Sequence, residues 1–334
     1  MSLRNQIKHL AGALCSVRPL HPFVSSRHQD SVNVVYYHFV GSAAPHYEAF
    51  YSGCTVERFA RDLEQLSRVF DFASLAEVIG TRPRTGSGTK PIVAVTFDDG
   101  LDLGRTPVRN VLRRFGVQAT TFVITSCVDN ARLMWRHKLS AVKALVSGET
   151  CVAEYNAIAD RESLPRIRSA CQLLDASRTW DARFKDSLAT ELWERCNLLP
   201  ISDYLSTQKP YFSWQGLSDW MDDGHSVGFH THTHPYCSRV RPEEINEEII
   251  EPARALKTRL GLKDLCLSYP FGDRLALDRE NELLAQGEFT ALFGIGGLRK
   301  RGASAQRLER AGIEEDGVPW AVFARAFIPG SECP

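Results

Sequence analysis

Neither sign of charge prevails in this chain of 334 residues, where 40 Lys and Arg face 40 Asp and Glu. Without a basic surplus there is no broad electrostatic draw towards nucleic acid or an anionic membrane. Short basic runs such as Arg299-Lys300-Arg301 then read as solvated surface. No stretch approaches the roughly 18 apolar residues of a spanning helix. There is also no internal repeat and no low-complexity tract. The nine cysteines (15, 54, 127, 151, 171, 196, 237, 266 and 333) are odd in number, scattered, and never spaced Cys-x-x-Cys. That argues against a secreted disulfide framework and for reduced, mostly buried thiols in a cytoplasmic protein. Residues 1–20 carry Arg4 and Lys8 before a short apolar run, Leu10 to Cys15, that ends at Arg18 without a small-residue cleavage site. The segment reads as a helix lying on the domain or weakly on a membrane, not as a cleaved signal.

A hydrophobic fraction of 43% is enough to bury a full core. Residues 32–39, Val-Asn-Val-Val-Tyr-Tyr-His-Phe, are β-branched and aromatic and read as a buried strand ending at His38. Thr55 opens a helix with Phe59, Leu63 and Leu66 on one face, and Ser74 with Glu77 forms a capping box. Residues 81–90 are a polar Gly- and Pro-containing loop. Pro91 to Phe97 is the clearest strand and runs into Asp98-Asp99-Gly100. Thr106-Pro107 starts a helix that stops before Gly116, and Val117 to Ile124 is the next strand. Strands thus alternate with helices, the pattern of a parallel sheet or barrel. Residues 130–210 break the alternation and read as a helical insert, with Trp135, Leu139, Val142 and Leu145 on one stripe. It resumes with a helix over 213–223, a strand over 225–230, a helix from Pro242 bent at Pro252 and closed by Gly261, and strands over 265–269 and 289–294. The expected organisation is an N-terminal helical segment over 1–30 and one barrel domain over 31–330 carrying the insert.

Two features carry chemistry. Asp98-Asp99 follows one buried strand, and His230-x-His232-x-His234 follows another. Active sites of barrels and open α/β sheets form at such carboxyl ends. A carboxylate with two imidazoles is a metal set, suited to zinc with an open position or to iron. Adjacent Asp side chains diverge, so one can bind the ion while its neighbour faces a bound water. Strand periodicity puts all three histidines on one face and does not choose two of them. Taken singly, Asp-Asp-Gly is most often a plain turn and a lone histidine pair is often structural. The conjunction at two strand ends is what favours a site.

Thr96-Phe97-Asp98-Asp99-Gly100 resembles the first motif of the polysaccharide deacetylase family (NodB-homology, carbohydrate esterase family 4). The stretch from Gly224 to Pro235, Gly-His-Ser-Val-Gly-Phe-His-Thr-His-Thr-His-Pro, resembles its second. The resemblance covers roughly residues 32–127 and 210–330. It implies a distorted (β/α) barrel of seven or eight strands, and a hydrolase that removes an acetyl group from an amino sugar in a poly-, oligo- or lipid-linked saccharide. It implies Asp99, His230 and His234 as ligands of a divalent metal: zinc first, with cobalt, nickel and iron also accepted. Asp98 would be the general base. Ser268-Tyr269-Pro270-Phe271-Gly272 is similar to the third motif of bacterial surface-polysaccharide members, and Tyr269, Pro270, Phe271 and Gly272 would meet the substrate.

Two departures stand out. Ser268 replaces the arginine that would hold the base, with Arg310, near the end of a late strand, as a candidate substitute. No histidine follows His234 to serve as the usual late general acid, and His38 is the expected replacement. The expected partner is an N-acetylated saccharide, with no nucleic acid and no transmembrane segment. Rival readings are hydrolysis of another C–N bond, such as an N-formyl group, and a non-catalytic carbohydrate-binding relative.

Overall fold

The computed structural model describes residues 21–314 and 318, apart from 43, 52, 81–89, 104–106, 182 and 301–305, with backbone alone at 21, 299 and 300. The segment 1–20, most of the 81–90 loop, Thr106, Arg301, Cys15 and Cys333 therefore lie outside the described residues, as do the side chains of Arg299 and Lys300.

Eight strands form the barrel: β1 (Val34–Tyr37), β2 (Ile92–Phe97), β3 (Thr120–Val123), β4 (Ser226–Phe229), β5 (Cys266–Ser268), β6 (Ala291–Gly294), β7 (Arg307–Glu309) and β8 (Ala311–Gly312). All pair in parallel in the order β7-β6-β5-β4-β3-β2-β1-β8. β7 pairs with β6 and β8 with β1, yet only Arg310 separates them. One short stretch of chain thus spans both edges of the sheet and nearly closes it, giving the expected (β/α) barrel.

Period-two alternation sorts the strand residues. Val34, Ala94, Phe122, Phe293 and Leu308 cluster inside the barrel. Val35, Val93, Val95, Phe97, Val123, Phe229 and Leu267 face outwards and pack against helices. Helix α1 (Val56–Val69) shows why: Thr55 caps it by accepting the Arg58 N–H, and Phe59, Leu63 and Leu66 fall on one buried stripe. Each such side chain contributes on the order of 1.5–3 kcal/mol through burial. Ser74 and Glu77 make the expected reciprocal cap.

Gly228 on β4 is required by packing. A Cβ there would stand 2.4 Å from the Phe122 ring inside the barrel.

The 130–210 region is helical, with α2 (Trp135–Leu145), α3 (Gly148–Glu162), α4 (Lys185–Arg195) and α5 (Ile201–Gln208). They enclose an apolar cluster of their own around Trp135, Leu139, Val142, Tyr155, Leu192 and Trp193. Trp135, Leu139 and Val142 form the expected stripe, but Leu145 is 48% exposed, because α2 ends there and the chain turns away. The helix expected from Pro242 is a 3₁₀ turn, a π turn over Asn246–Ile250, and then α6 (Glu251–Leu260), closed by Gly261 in the left-handed region. The cysteines at 54, 127, 151, 171, 196, 237 and 266 are unpaired. Among the described residues no helix is long and apolar enough to cross a membrane.

Candidate active site

The inward parity of the strands carries past their carboxyl ends to His38, Asp98 and His230, with Ser268 inside the barrel and Arg310 on the closing stretch. The Asp98 N–H donates to the Tyr37 carbonyl at 2.9 Å, which sets Asp98 beside His38. Arg310 is fully buried and grips Asp98 with both arms: Nη1 to Oδ1 at 2.7 Å and Nη2 to Oδ2 at 2.8 Å. Its guanidinium also donates to Thr96 Oγ1 and Ser268 Oγ and lies over the rings of Tyr36 and Phe122. Burial, the largest single effect, would raise the Asp98 pKa, but the charge and hydrogen bonds of Arg310, together with nearby histidine charge such as that of His38, hold the carboxyl below its usual value. Arg310 thus stands where the resemblance called for an arginine at 268, and Ser268 provides the space.

Asp99 leaves the strand with φ 67°, and Gly100 follows with φ 65°, where an added Cβ would lie 3.1 Å from the Val123 backbone. Thr231, His234 and Phe271 are also left-handed, at 65°, 61° and 58°. Non-glycine residues seldom adopt this region, and strain of this kind concentrates at functional sites. The Thr231 hydroxyl stabilises the turn by accepting the His234 N–H at 3.0 Å.

Asp99, His230 and His234 are buried, each offering one ligand atom, and these atoms lie within 4.8 Å of one another. Asp99 Oδ1 is 3.5 Å from His230 Nε2 and 3.3 Å from His234 Nε2, and has no hydrogen-bond donor. His230 Nδ1 lies 2.7 Å from the Ser268 carbonyl, so it must carry the proton. That leaves Nε2 as the ring nitrogen that can offer a lone pair, directed at the Asp99 carboxylate. Burial pushes His234 down to about 3, so that ring is neutral as well. A cation between the three atoms would be held by the carboxylate oxygen and by both Nε2 lone pairs, and one oxygen with two nitrogens suits zinc. The residues present therefore fit a divalent ion.

His232 does not join them. Its Nδ1 bonds Thr125 Oγ1, and the ring helps line a separate cavity of about 450 Å³ with Lys185 and Glu248. The one-face expectation fails because the chain has left extended geometry by Thr231. Pro252 offers no N–H to the Glu248 carbonyl four residues back, and that carbonyl accepts the His232 N–H. The Glu248 carboxylate accepts the Thr233 N–H and hydroxyl at 2.6 and 2.8 Å, which fixes the histidine loop.

His38 stands on the other side of Asp98. Its N–H donates to Glu314 Oε1 at 2.7 Å, and Nδ1 meets Oε2 at 2.9 Å. Burial would lower the His38 pKa, but the Glu314 carboxylate overrides this and raises it to about 9. Tyr47 also donates to Glu314. Tyr51 packs edge-on to His38 and donates its hydroxyl to Asp99 Oδ2 at 3.2 Å.

The third-motif turn is only partly placed to meet a ligand. The Tyr269 side chain is fully buried beside Arg274, out of reach of a substrate, because strand parity turns residue 269 outwards. Its N–H donates to Phe293, Pro270 is buried and has none, and the Gly272 N–H closes the turn onto Tyr269. That leaves the Phe271 N–H, with the half-buried Phe271 ring edge-on to His234 and stacked on Tyr236.

Glu314, Tyr51 and His137, whose Nε2 approaches Asp99 Oδ2 to 3.5 Å, were not singled out as site residues from the sequence. For Glu314 a signal exists. Counting by twos from Leu308 gives Arg310, Gly312 and Glu314 on the inward face. Tyr51 and His137 reach the site from outside the strands, where no spacing announces them.

The comparisons agree with this architecture. The PplD deacetylase of Streptococcus pyogenes, solved in complex with acetate, matches with a TM-score of 0.56 at 14% identity over 89% of this chain and 98% of that one. IcaB of Ammonifex degensii matches with a TM-score of 0.55 at 18% identity over 89% and 97%. At such identities the likeness is one of fold. Chitin deacetylase 2 of Cryptococcus neoformans var. neoformans serotype D (strain B-3501A) is 27% identical over 115 residues, 32% of this chain, so the match spans only 24% of that protein's length. The polysaccharide deacetylase profile covers residues 85–287, more than half of the chain and both aspartate and histidine motifs, and the chain belongs to the polysaccharide deacetylase family.

Proposed function

We propose that the chain hydrolyses the N-acetyl group of an amino sugar in a poly-, oligo- or lipid-linked saccharide, with a divalent cation, zinc first, held by Asp99, His230 and His234. The observation that carries this reading is a pair of ionisable groups pushed in opposite directions beside one cation site. Arg310 keeps Asp98 ionised, and Glu314 keeps His38 protonated. Such divergence is how a site assigns a base and an acid.

A bound cation would polarise the acyl oxygen and make a water acidic enough to attack near neutral pH. Asp98 takes the proton of the attacking water. His38, tied to Glu314 through Nδ1, presents Nε2 and its proton to the leaving amine. The Phe271 N–H is available to a developing oxyanion. The half-buried rings of Tyr51, Tyr236 and Phe271 border the site, their faces packed on Tyr47, on each other and under the guanidinium groups of Arg136 and Arg239. A non-catalytic role would follow from a missing arginine at 268 and a missing late histidine, and Arg310 and His38 fill both places.

The test is acetate release from N-acetylglucosamine oligosaccharides by the zinc-loaded chain, run beside formate release from N-formyl analogues. Acetate release abolished by a chelator and restored by zinc is expected. Formate without acetate would replace this reading by its nearest rival.

A further inference from the structure

The insert sends three successive residues of α2 to the site. Trp135 Nε1 donates to the His234 carbonyl at 2.9 Å. The Arg136 guanidinium lies over the rings of Tyr51 and Phe271, 4.5 and 5.3 Å from their centroids. His137 is fully buried, and its Nε2 stands 3.5 Å from Asp99 Oδ2, the oxygen turned away from the two histidines.

The other nitrogen of that ring, Nδ1, is 2.6 Å from the Tyr211 hydroxyl. This hydroxyl already accepts the Met134 N–H at 3.0 Å, so its own proton is free for Nδ1. With Nδ1 accepting, the neutral ring carries its proton on Nε2, aimed at Asp99. A separation of 3.5 Å is long for a hydrogen bond, and no described group partners Nε2 more closely. What acts is an N–H dipole on an anionic oxygen, little screened in a buried site. Tyr51 donates to the same oxygen at 3.2 Å.

We propose that His137, backed by Tyr211, is a positioning residue that holds Asp99 Oδ2 so that Oδ1 is presented to the cation. The inference rests on the metal-dependent reading above. Asp99 lies past the end of β2 in a left-handed turn, so the strand itself does not set the direction of its carboxylate. Donors on one oxygen fix the other as a single, directed ligand. The helical insert, whose residues belong to neither motif, thereby becomes part of the cation site.

The experiment is zinc affinity of the full chain, measured by competition with a chromophoric chelator, for wild type, His137→Gln, His137→Phe and Tyr211→Phe. Circular dichroism and the apo thermal midpoint are recorded for each. Outer-sphere partners of metal ligands are typically worth roughly 10- to 100-fold in affinity. His137→Phe is expected to weaken zinc binding by that order. His137→Gln, which keeps an N–H near the Nε2 position, should recover most of it, and Tyr211→Phe should fall between. Rescue by Gln is what a merely structural role would not produce. Undiminished affinity in a folded His137→Phe overturns the proposal. If that variant does not fold, Tyr211→Phe, which loses one hydroxyl, decides on the same criterion. A wild-type chain that takes up no zinc overturns the metal reading and this inference together. Wild-type binding with unchanged variants overturns this inference alone.

Discussion

Replacing Arg310 by Met would leave the Asp98 carboxylate buried without its counter-charge. Arg310 makes two charge-assisted bonds to Asp98 at 2.7 and 2.8 Å, both partners lie almost wholly out of water, and among the described residues no other guanidinium bonds this carboxylate. Removing one member of such a pair costs on the order of 3–5 kcal/mol, far more than an exposed bridge. The loss has a definite pH signature. In the wild type the folded-state pKa of Asp98 is depressed, so its contribution to stability is full above the unfolded value, near 3.9, and fades as pH falls through the folded value. In the variant, desolvation is opposed only by the smaller effect of neighbouring histidine charge such as that of His38, so the folded pKa rises and the charged form loses the stabilisation it has in the wild type. The gap between the two proteins should be small in acid and should widen with rising pH towards neutrality. Urea denaturation of the metal-free proteins at several pH values measures it. The acid limb of kcat/KM should move up in parallel, since the base must be ionised. Asp98→Asn combined with Arg310→Met should recover much of the lost stability, because Asn carries no charge to strand. Equal stability of Arg310→Met and wild type at neutral pH, with an unmoved acid limb, would refute the reasoning.

Glu314→Gln removes the charge that raises His38 to about 9. The protonated acid is then lost at lower pH, so the alkaline fall in kcat/KM should begin earlier than in the wild type. Asp98→Asn should keep zinc uptake, read by metal analysis, while turnover drops by roughly 10²- to 10⁴-fold, the usual worth of a general base. Saturating zinc should raise the thermal midpoint of the wild type, by about 2.7 kcal/mol of stability at a hundred times Kd, and should not raise that of Asp99→Ala. Gly228→Ala forces a methyl against the Phe122 ring, so a loss of about 1–3 kcal/mol in urea denaturation is expected, with reduced turnover because Arg310 rests on that ring.

What the sequence made legible follows from length and period. Ile92 to Phe97 is a strong apolar run ending in two aspartates, and His230 follows a second run, so those strand ends and their candidate ligands were legible from the sequence. The stripe of Phe59, Leu63 and Leu66 located α1 for the same reason. The closing stretch was legible only as a late strand bearing Arg310. Its halves, Arg307–Glu309 and Ala311–Gly312, are too short for alternation to rise above chance, and nothing local says that they pair with opposite edges of the sheet. Choosing between His232 and His234 required knowing where extended geometry stops. That depends on the left-handed turns at Thr231 and His234, and on a carbonyl freed by Pro252 some twenty residues away. Tyr269 was misplaced because adjacency to a motif is not orientation, and its parity turns it into the core.

The closing stretch also explains how the chain can depart from the usual third motif and still hold Asp98, the proposed base. A parallel barrel sends every other residue of each strand inwards, so a guanidinium that must reach Asp98 can start from any strand with the right parity and enough room. From β5 it would start at residue 268, and there Ser leaves a void. From the seam it starts at residue 310, crosses over Phe122 and fills that void, donating to the Ser268 hydroxyl on its way to Asp98. The same stretch ends four residues later in Glu314, which lies against β1 and meets His38. One segment therefore sets the protonation state of the proposed base and of the proposed acid. Its pairing with both β6 and β1 ties the closure of the barrel to the electrostatics of the site, so a perturbation that opens the seam should disturb both groups at once.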